Sequence, residues 1–172
     1  MKKTLVVLAA VALAGVIFAQ AKKKYPILQP QMTVEGSSYS KPMGKMGEKP
    51  AEPWTATTMG ASVDGKPVSG KPATLVGEIV DFSCYLQVGK HGEKHRSCGQ
   101  KCIQTGQPIG LLTEDGSLYM LMEEEHDPRR DGQTSDFRKE AANHLAHIME
   151  VSGTLTSHAG YNALYVQGFV KK

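Results

Sequence analysis

The feature that most constrains the fold is a hairpin pattern in the middle of the chain. In the stretch PIGLLTEDGSLYMLME, two apolar runs flank Glu114-Asp115-Gly116. An Asp-Gly pair between two such runs is a strong short-range signal for the turn of an antiparallel hairpin. The chain is therefore expected to contain a β-sheet, and the segments around the hairpin must supply the other strands.

Three further segments have the pattern of strands. TLVGEIVDFSCYL precedes the hairpin, and IMEVSGTLTSH and ALYVQGFVK follow it. Before these last two, Ser135 can cap a helix that carries Phe137, Ala141 and Leu145 on one face. The order strand, insertion, strand, strand, helix, strand, strand predicts a mainly β, OB-like five-stranded barrel with its helix between strands 3 and 4. A generic α+β sandwich is the alternative.

The N-terminal segment has the pattern of an export signal. Lys2 and Lys3 precede an apolar run from Leu5 to Phe18, and Ala19-Gln20-Ala21 supplies the small residues of a cleavage site. The run is shorter than the roughly 20 residues that a bilayer span needs. We therefore expect a signal peptide, no integral membrane span after its cleavage, and a periplasmic or extracellular location.

The remaining chain divides into two parts. Residues 22–72 are rich in Pro, Gly, Lys and Met and show no sustained period, which predicts a flexible tether after the signal peptide at 1–21. Residues 73–172 hold all of the predicted barrel strands and form the OB-like domain.

The charge balance argues against one class of partner. The chain has 20 basic and 17 acidic residues, and removal of residues 1–21 leaves 18 against 17. A nearly neutral protein lacks the basic footprint typical of nucleic-acid binding. We expect no nucleic-acid partner, and another envelope protein is a candidate.

The insertion between the first two strands carries a histidine and two cysteines at helical spacing. Its sequence predicts a helix from Glu93 to Gln104, with Gly106 and Pro108 beyond its end. At about 100° per residue, His95, Cys98 and Cys102 share one stripe of this helix. The helix is expected to pack over one mouth of the barrel.

That packing would bring the stripe towards the third cysteine, near the end of the first strand. The predicted metal ligands are Cys84, His95, Cys98 and Cys102. Three thiolates and one imidazole form a known tetrahedral zinc site, and they also suit Cu(I). The sequence therefore predicts an exported metal-binding protein that holds either structural zinc or carried copper.

The chain also resembles small exported bacterial proteins with an OB-like domain. The shared pattern is a GEIVDxxCY strand, an HxxCxxxC segment and a PxGLL strand. Here these pieces are Gly77–Tyr85, His95–Cys102 and Pro108–Leu112. The resemblance implies the domain and the Cys/His site, and it implies no particular reaction.

Two other interpretations of the cysteines stay open. A disulfide from Cys84 to Cys98 or Cys102 would staple the insertion to the barrel and leave one free thiol, as in an envelope interaction module without metal. A thiol redox protein is the third. The sequence contains no Gly-rich phosphate loop after a strand, no GxSxG elbow and no HExxH. We therefore expect a binding protein rather than an enzyme.

Overall fold

The computed structural model describes residues 34–52, 69–123 and 136–166, and also the backbone of 62–63 and 66–67. The strands are β1 (Lys45–Met46), β2 (Ser62–Val63), β3 (Lys66–Pro67), β4 (Gly70–Asp81), β5 (Ile109–Thr113), β6 (Leu118–Glu123), β7 (Ile148–His158) and β8 (Tyr161–Val166). The helices are α1 (Phe82–Val88), α2 (Glu93–Gln104) and α3 (Asp136–Asn143).

Five strands close into a barrel. Around the barrel the order is β4, β5, β6, β8 and β7, and β7 pairs again with β4. All neighbours are antiparallel except β6 and β8, which run parallel. This topology confirms the predicted OB-like barrel, with α3 between its third and fourth strands. The short strands β2 and β3 form a separate antiparallel pair.

The closure of the barrel depends on close backbone contact. A Cβ atom at Gly153 of β7 would collide with the backbone carbonyl of Tyr165 in β8. Only glycine permits this approach without moving one of the two strands. Gly153 is therefore required by the fold, because the lack of a side chain at this position allows β7 and β8 to pair and close the barrel.

The core lies inside the barrel and extends under α3. Its buried aliphatic side chains come from every barrel strand: Ile79, Leu111, Leu121, Val151 and Leu164. Phe137 and Ala141 of the predicted helix face are buried on α3, whereas Leu145 is buried beyond the end of the helix at Asn143, in an isolated β-bridge with Ile79. Burial of each large apolar side chain contributes about 1.5–3 kcal/mol.

Part of the predicted tether packs on the barrel. The hydroxyl of Ser37 accepts a hydrogen bond from the backbone amide of Ile148, at 2.9 Å. Met46 is buried in the core, and its strand pairs in parallel with β7. The described residues 34–52 therefore differ from the free chain expected over 22–72, because one apolar side chain and backbone pairing hold them. The predicted signal peptide and Trp54 lie outside the described residues.

The insertion folds into two helices, and the first of them corrects the sequence prediction. The first barrel strand was expected to run through Leu86, but β4 ends at Asp81 and α1 follows at once. The reason is the Asp81 side chain, which accepts hydrogen bonds from backbone amides of the first turn of α1. The predicted helix from Glu93 to Gln104 is confirmed as α2.

Helix α2 is fixed against α3 and the barrel by polar and apolar contacts. The Arg138 guanidinium donates to the carbonyl oxygens of Ile103 and Gln107, at 2.9 and 2.7 Å. A Cβ atom at Gly99 would lie 2.5 Å from Leu145 Cδ2, so this helix turn sits directly on the core. Among the described residues, no helix is long and apolar enough to cross a membrane.

Candidate metal centre

Asp81 lies at the junction of β4 and α1 and is fully buried. Its Oδ1 accepts hydrogen bonds from the backbone amides of Ser83 and Cys84, at 3.0 and 3.1 Å. An aspartate that accepts from the second and third amides ahead of it is a helix N-cap. The cap ends the strand and fixes Cys84 in the first turn of α1, beside the carboxylate.

His95 reaches the same place from the first turn of α2. The preceding loop is held by Glu78, whose two oxygens lie 2.7 Å from His91 Nδ1 and 2.6 Å from the Gly92 backbone nitrogen. Gly92 immediately precedes α2, so this carboxylate sets where the helix begins. His95 is 4% exposed and its imidazole lies along the helix towards Gly99.

The side chains of Asp81, Cys84 and His95 form a group that can hold a metal ion. One ligand atom from each residue lies within 4.8 Å of the other two. Asp81 Oδ2 and His95 Nε2 are both buried and have no hydrogen-bond partner. Leaving a polar atom buried in this way costs about 1–3 kcal/mol. A cation bound between the two atoms would satisfy both at once.

Burial and the neighbouring carboxylate control the protonation of the thiols. Desolvation, followed by the interaction with Asp81, raises the pKa of Cys84 to about 12. The pKa of Cys102 is also raised, first by burial, then by Asp81 and by the Cys98 thiol. Both thiols therefore face Asp81 in their neutral form, although Oδ2 retains no hydrogen-bond partner. A bound cation would reverse this balance, because it favours the thiolate.

The imidazole is already in the form that a metal needs. Burial lowers the pKa of His95, because a desolvated imidazolium is disfavoured, and the negative charge of Asp81 offsets part of this effect. The ring is therefore neutral near pH 7 and can offer a nitrogen lone pair. Carboxylate, thiol and neutral imidazole together form a donor set typical of zinc.

The four residues predicted from the sequence take different positions. Cys84 and His95 meet in the close group, whereas Cys102 is half-buried and Cys98 is exposed, and both lie outside that group. All three thiols are free. The Cys84, His95, Cys98 and Cys102 ligand set stays a prediction.

Sequence reasoning missed Asp81 as a member of the group. The signal that reveals it is the stretch DFSC, in which an aspartate directly follows the apolar strand residues Ile79 and Val80. Such an aspartate is a preferred helix cap. Reading it as a cap would have ended the strand there and placed its carboxylate next to Cys84.

A pair of histidines near α3 is a weaker candidate. His144 and His147 have ring centroids 5.8 Å apart, and both Nδ1 atoms are buried without a partner. His144 Nε2 lies 3.0 Å from Glu140 Oε1. Within the described residues, however, the only three ligand groups that come within 4.8 Å of one another are those of the Asp81 group. His126 lies outside the described residues.

Comparisons of the chain with protein-family models, with curated proteins and with solved structures find no match.

Proposed function

We propose that this protein is an exported metal-binding protein that holds one zinc ion at the mouth of its barrel. The ligands are Asp81, Cys84 and His95, with the half-buried Cys102 sulfur as the fourth. The observation that carries the proposal is the pair of buried, unpartnered ligand atoms, Asp81 Oδ2 and His95 Nε2, beside the Cys84 thiol. In this set Asp81 takes the place that the sequence pattern gave to Cys98.

The donor set favours zinc over copper. Zinc binds thiolate, imidazole and carboxylate ligands in tetrahedral sites. Cu(I) prefers soft sulfur ligands, and a copper ion held by the thiols would leave the Asp81 carboxylate unused. The signal-like N-terminus supports export. In an oxidising compartment, coordination would also keep the thiols from pairing.

The positions of the ligands favour a structural role. Asp81 ends a barrel strand, Cys84 lies in the first turn of α1, and His95 lies in the first turn of α2. A single ion would therefore connect the barrel wall to both helices of the insertion. A site closed by four protein ligands stabilises the fold, because binding energy adds directly to folding energy.

The experiment is metal analysis followed by zinc titration of the full-length chain, with the thiols kept reduced by a phosphine. We expect one zinc per chain and, after exchange for Co²⁺, a visible spectrum of a tetrahedral thiolate site. His95→Ala should lower zinc affinity more than about 100-fold, since loss of an outer partner alone costs 10–100-fold. His158→Ala, at an exposed histidine of β7, is the matched control and should change nothing.

Four results would contradict the proposal. The reduced chain binds no zinc, or it binds zinc equally well after His95→Ala. Alternatively, the native protein has lost the mass of two hydrogens and binds no metal, which supports the disulfide-stapled module. Stoichiometric Cu(I) binding with an affinity that Asp81→Asn leaves unchanged would show that copper is the cargo.

A further inference from the structure

Cys98 occupies a distinct position in relation to the proposed zinc ligands. It lies three residues after His95 and four before Cys102 on α2, so it neighbours both of them along one face of the helix. Its side chain is exposed, whereas Cys102 is half-buried and His95 is buried. The Cys98 thiol also interacts with the Cys102 thiol. The sulfur atoms of Cys98 and Cys102 therefore lie between solvent and the group formed by Asp81, Cys84 and His95.

The inner ligand atoms cannot be reached directly from water. Asp81 Oδ2 and His95 Nε2 have essentially no solvent-accessible surface. An ion that arrives from solvent must first meet a group at the surface of the insertion. Of the three cysteine side chains, that of Cys98 is the exposed one. A cysteine thiolate is one of the ligands that zinc binds in proteins, so the exposed Cys98 sulfur can be the first group that the ion meets.

We propose, on the basis of the zinc site proposed above, that Cys98 is the entry and exit ligand of that site. The zinc source is a thiolate or amino-carboxylate complex in solution. A bond from zinc to the donor complex breaks as the Cys98 sulfur binds the ion and its proton passes to solvent. The ion then moves inward: bonds form to Cys84 and Cys102, whose protons leave, and the bond to Cys98 breaks as that sulfur takes up a proton. Zinc stays Zn²⁺ throughout, so no oxidant or reductant is involved.

The test separates rate from affinity. In the full-length chain, Cys98→Ser should leave the zinc dissociation constant within about threefold of the wild-type value, because Cys98 does not bind the ion in the final site. It should slow zinc uptake from a chromophoric chelator, and zinc removal by EDTA, by at least tenfold each. The two rates must change together because the equilibrium is unchanged. Stopped-flow absorbance measures both.

The matched control is Cys102→Ser, which removes a proposed permanent ligand one turn further along the helix. It should weaken affinity, and its faster zinc release should distinguish it from Cys98→Ser. Unchanged exchange rates in Cys98→Ser, with zinc still bound, would overturn the entry role and leave the proposed site intact. A large loss of affinity in Cys98→Ser would overturn it by making Cys98 a permanent ligand. Absence of zinc binding in the wild-type chain would remove the site itself.

Discussion

Two buried carboxylates on the same strand meet the insertion in different ways. Glu78 is 1% exposed, and each of its oxygens has a partner within 2.7 Å, one from His91 and one from the backbone of Gly92. Asp81, three residues further along β4, is also fully buried. Its Oδ1 caps α1, but Oδ2 has no hydrogen-bond partner, and neither has Nε2 of His95, a residue of the same close group.

The two carboxylates differ in whether their oxygens are fully hydrogen-bonded. Both oxygens of Glu78 are hydrogen-bonded, to His91 and to the Gly92 amide, and these contacts hold the loop between α1 and α2. In the Asp81–His95 pair, Asp81 Oδ2 and His95 Nε2 are both buried without a hydrogen-bond partner, and the neutral Cys84 and Cys102 thiols interact with the Asp81 carboxylate. Buried polar groups are almost always satisfied, and these two exceptions belong to side chains that, together with Cys84, form a group able to hold a metal ion.

The largest expected effect is stabilisation by zinc. At a free concentration of about 1,000 times its dissociation constant, zinc should raise the free energy of unfolding by about 4 kcal/mol. The increase should vanish with EDTA and in Cys84→Ser. Chemical denaturation of the reduced full-length chain, monitored by circular dichroism, measures it. Equal stability with and without zinc would mean that Asp81 is only a helix cap and does not bind zinc.

Next comes Glu78→Ala, which should destabilise the protein whether or not zinc is present. It leaves His91 buried without its partner and frees the loop before α2. Leaving a buried hydrogen-bonding group without its partner costs about 1–3 kcal/mol, and because Glu78 holds two groups we expect about 3 kcal/mol here. The same denaturation curves, recorded in EDTA, provide the measurement. A loss that appears only with zinc bound would mean that Glu78 acts through the metal site.

These two carboxylates also show what the sequence could and could not predict. The barrel follows from local signals: alternating strands, the Asp-Gly turn, and a helix that buries Phe137 and Ala141 on one face. Helix α2 was predictable to its ends because Gly92 precedes it and Gly106 follows it. Each of these features is decided within about ten residues, where period and turn chemistry are reliable guides.

The site depends on contacts between distant residues. Glu78 and His91 are 13 positions apart, and whether they pair or bind an ion is decided by the path of α1. The path in the structure differs from the predicted one because Asp81 caps a helix, whereas the sequence pattern continued the strand. The same change brought the carboxylate into the site and Cys84 with it. A spacing rule places Cys98 with His95 and Cys102, but it carries no information on burial, which separates Cys98 from them.

The third prediction concerns pH. Because the pKa of Cys84 is raised to about 12 and that of Cys102 is also raised, both thiols are protonated when zinc binds. Each must release a proton, so affinity should increase about 100-fold per pH unit between pH 6 and 8, about 2.7 kcal/mol. The lowered pKa of His95 keeps proton competition at the imidazole small in this window.

Competition with a chelator of known protonation constants at pH 6, 7 and 8 measures this slope. A slope near one would reduce the number of thiolate ligands from two to one. An affinity that does not change with pH would exclude thiol coordination.

The smallest expected effect separates the two roles of Asp81, as the N-cap of α1 and as a zinc ligand. Asp81→Asn keeps an oxygen that can accept from the amides of Ser83 and Cys84, whereas Asp81→Ala removes the cap. Without zinc, the alanine variant should therefore be less stable than the asparagine variant by about 1 kcal/mol, the usual worth of an N-cap. With zinc, both should lack the metal-dependent stabilisation, because neither supplies a carboxylate. Denaturation of the two variants with zinc and with EDTA gives all four values. If Asp81→Asn retains full stabilisation by zinc, the carboxylate is only a cap, and the contrast with Glu78 disappears.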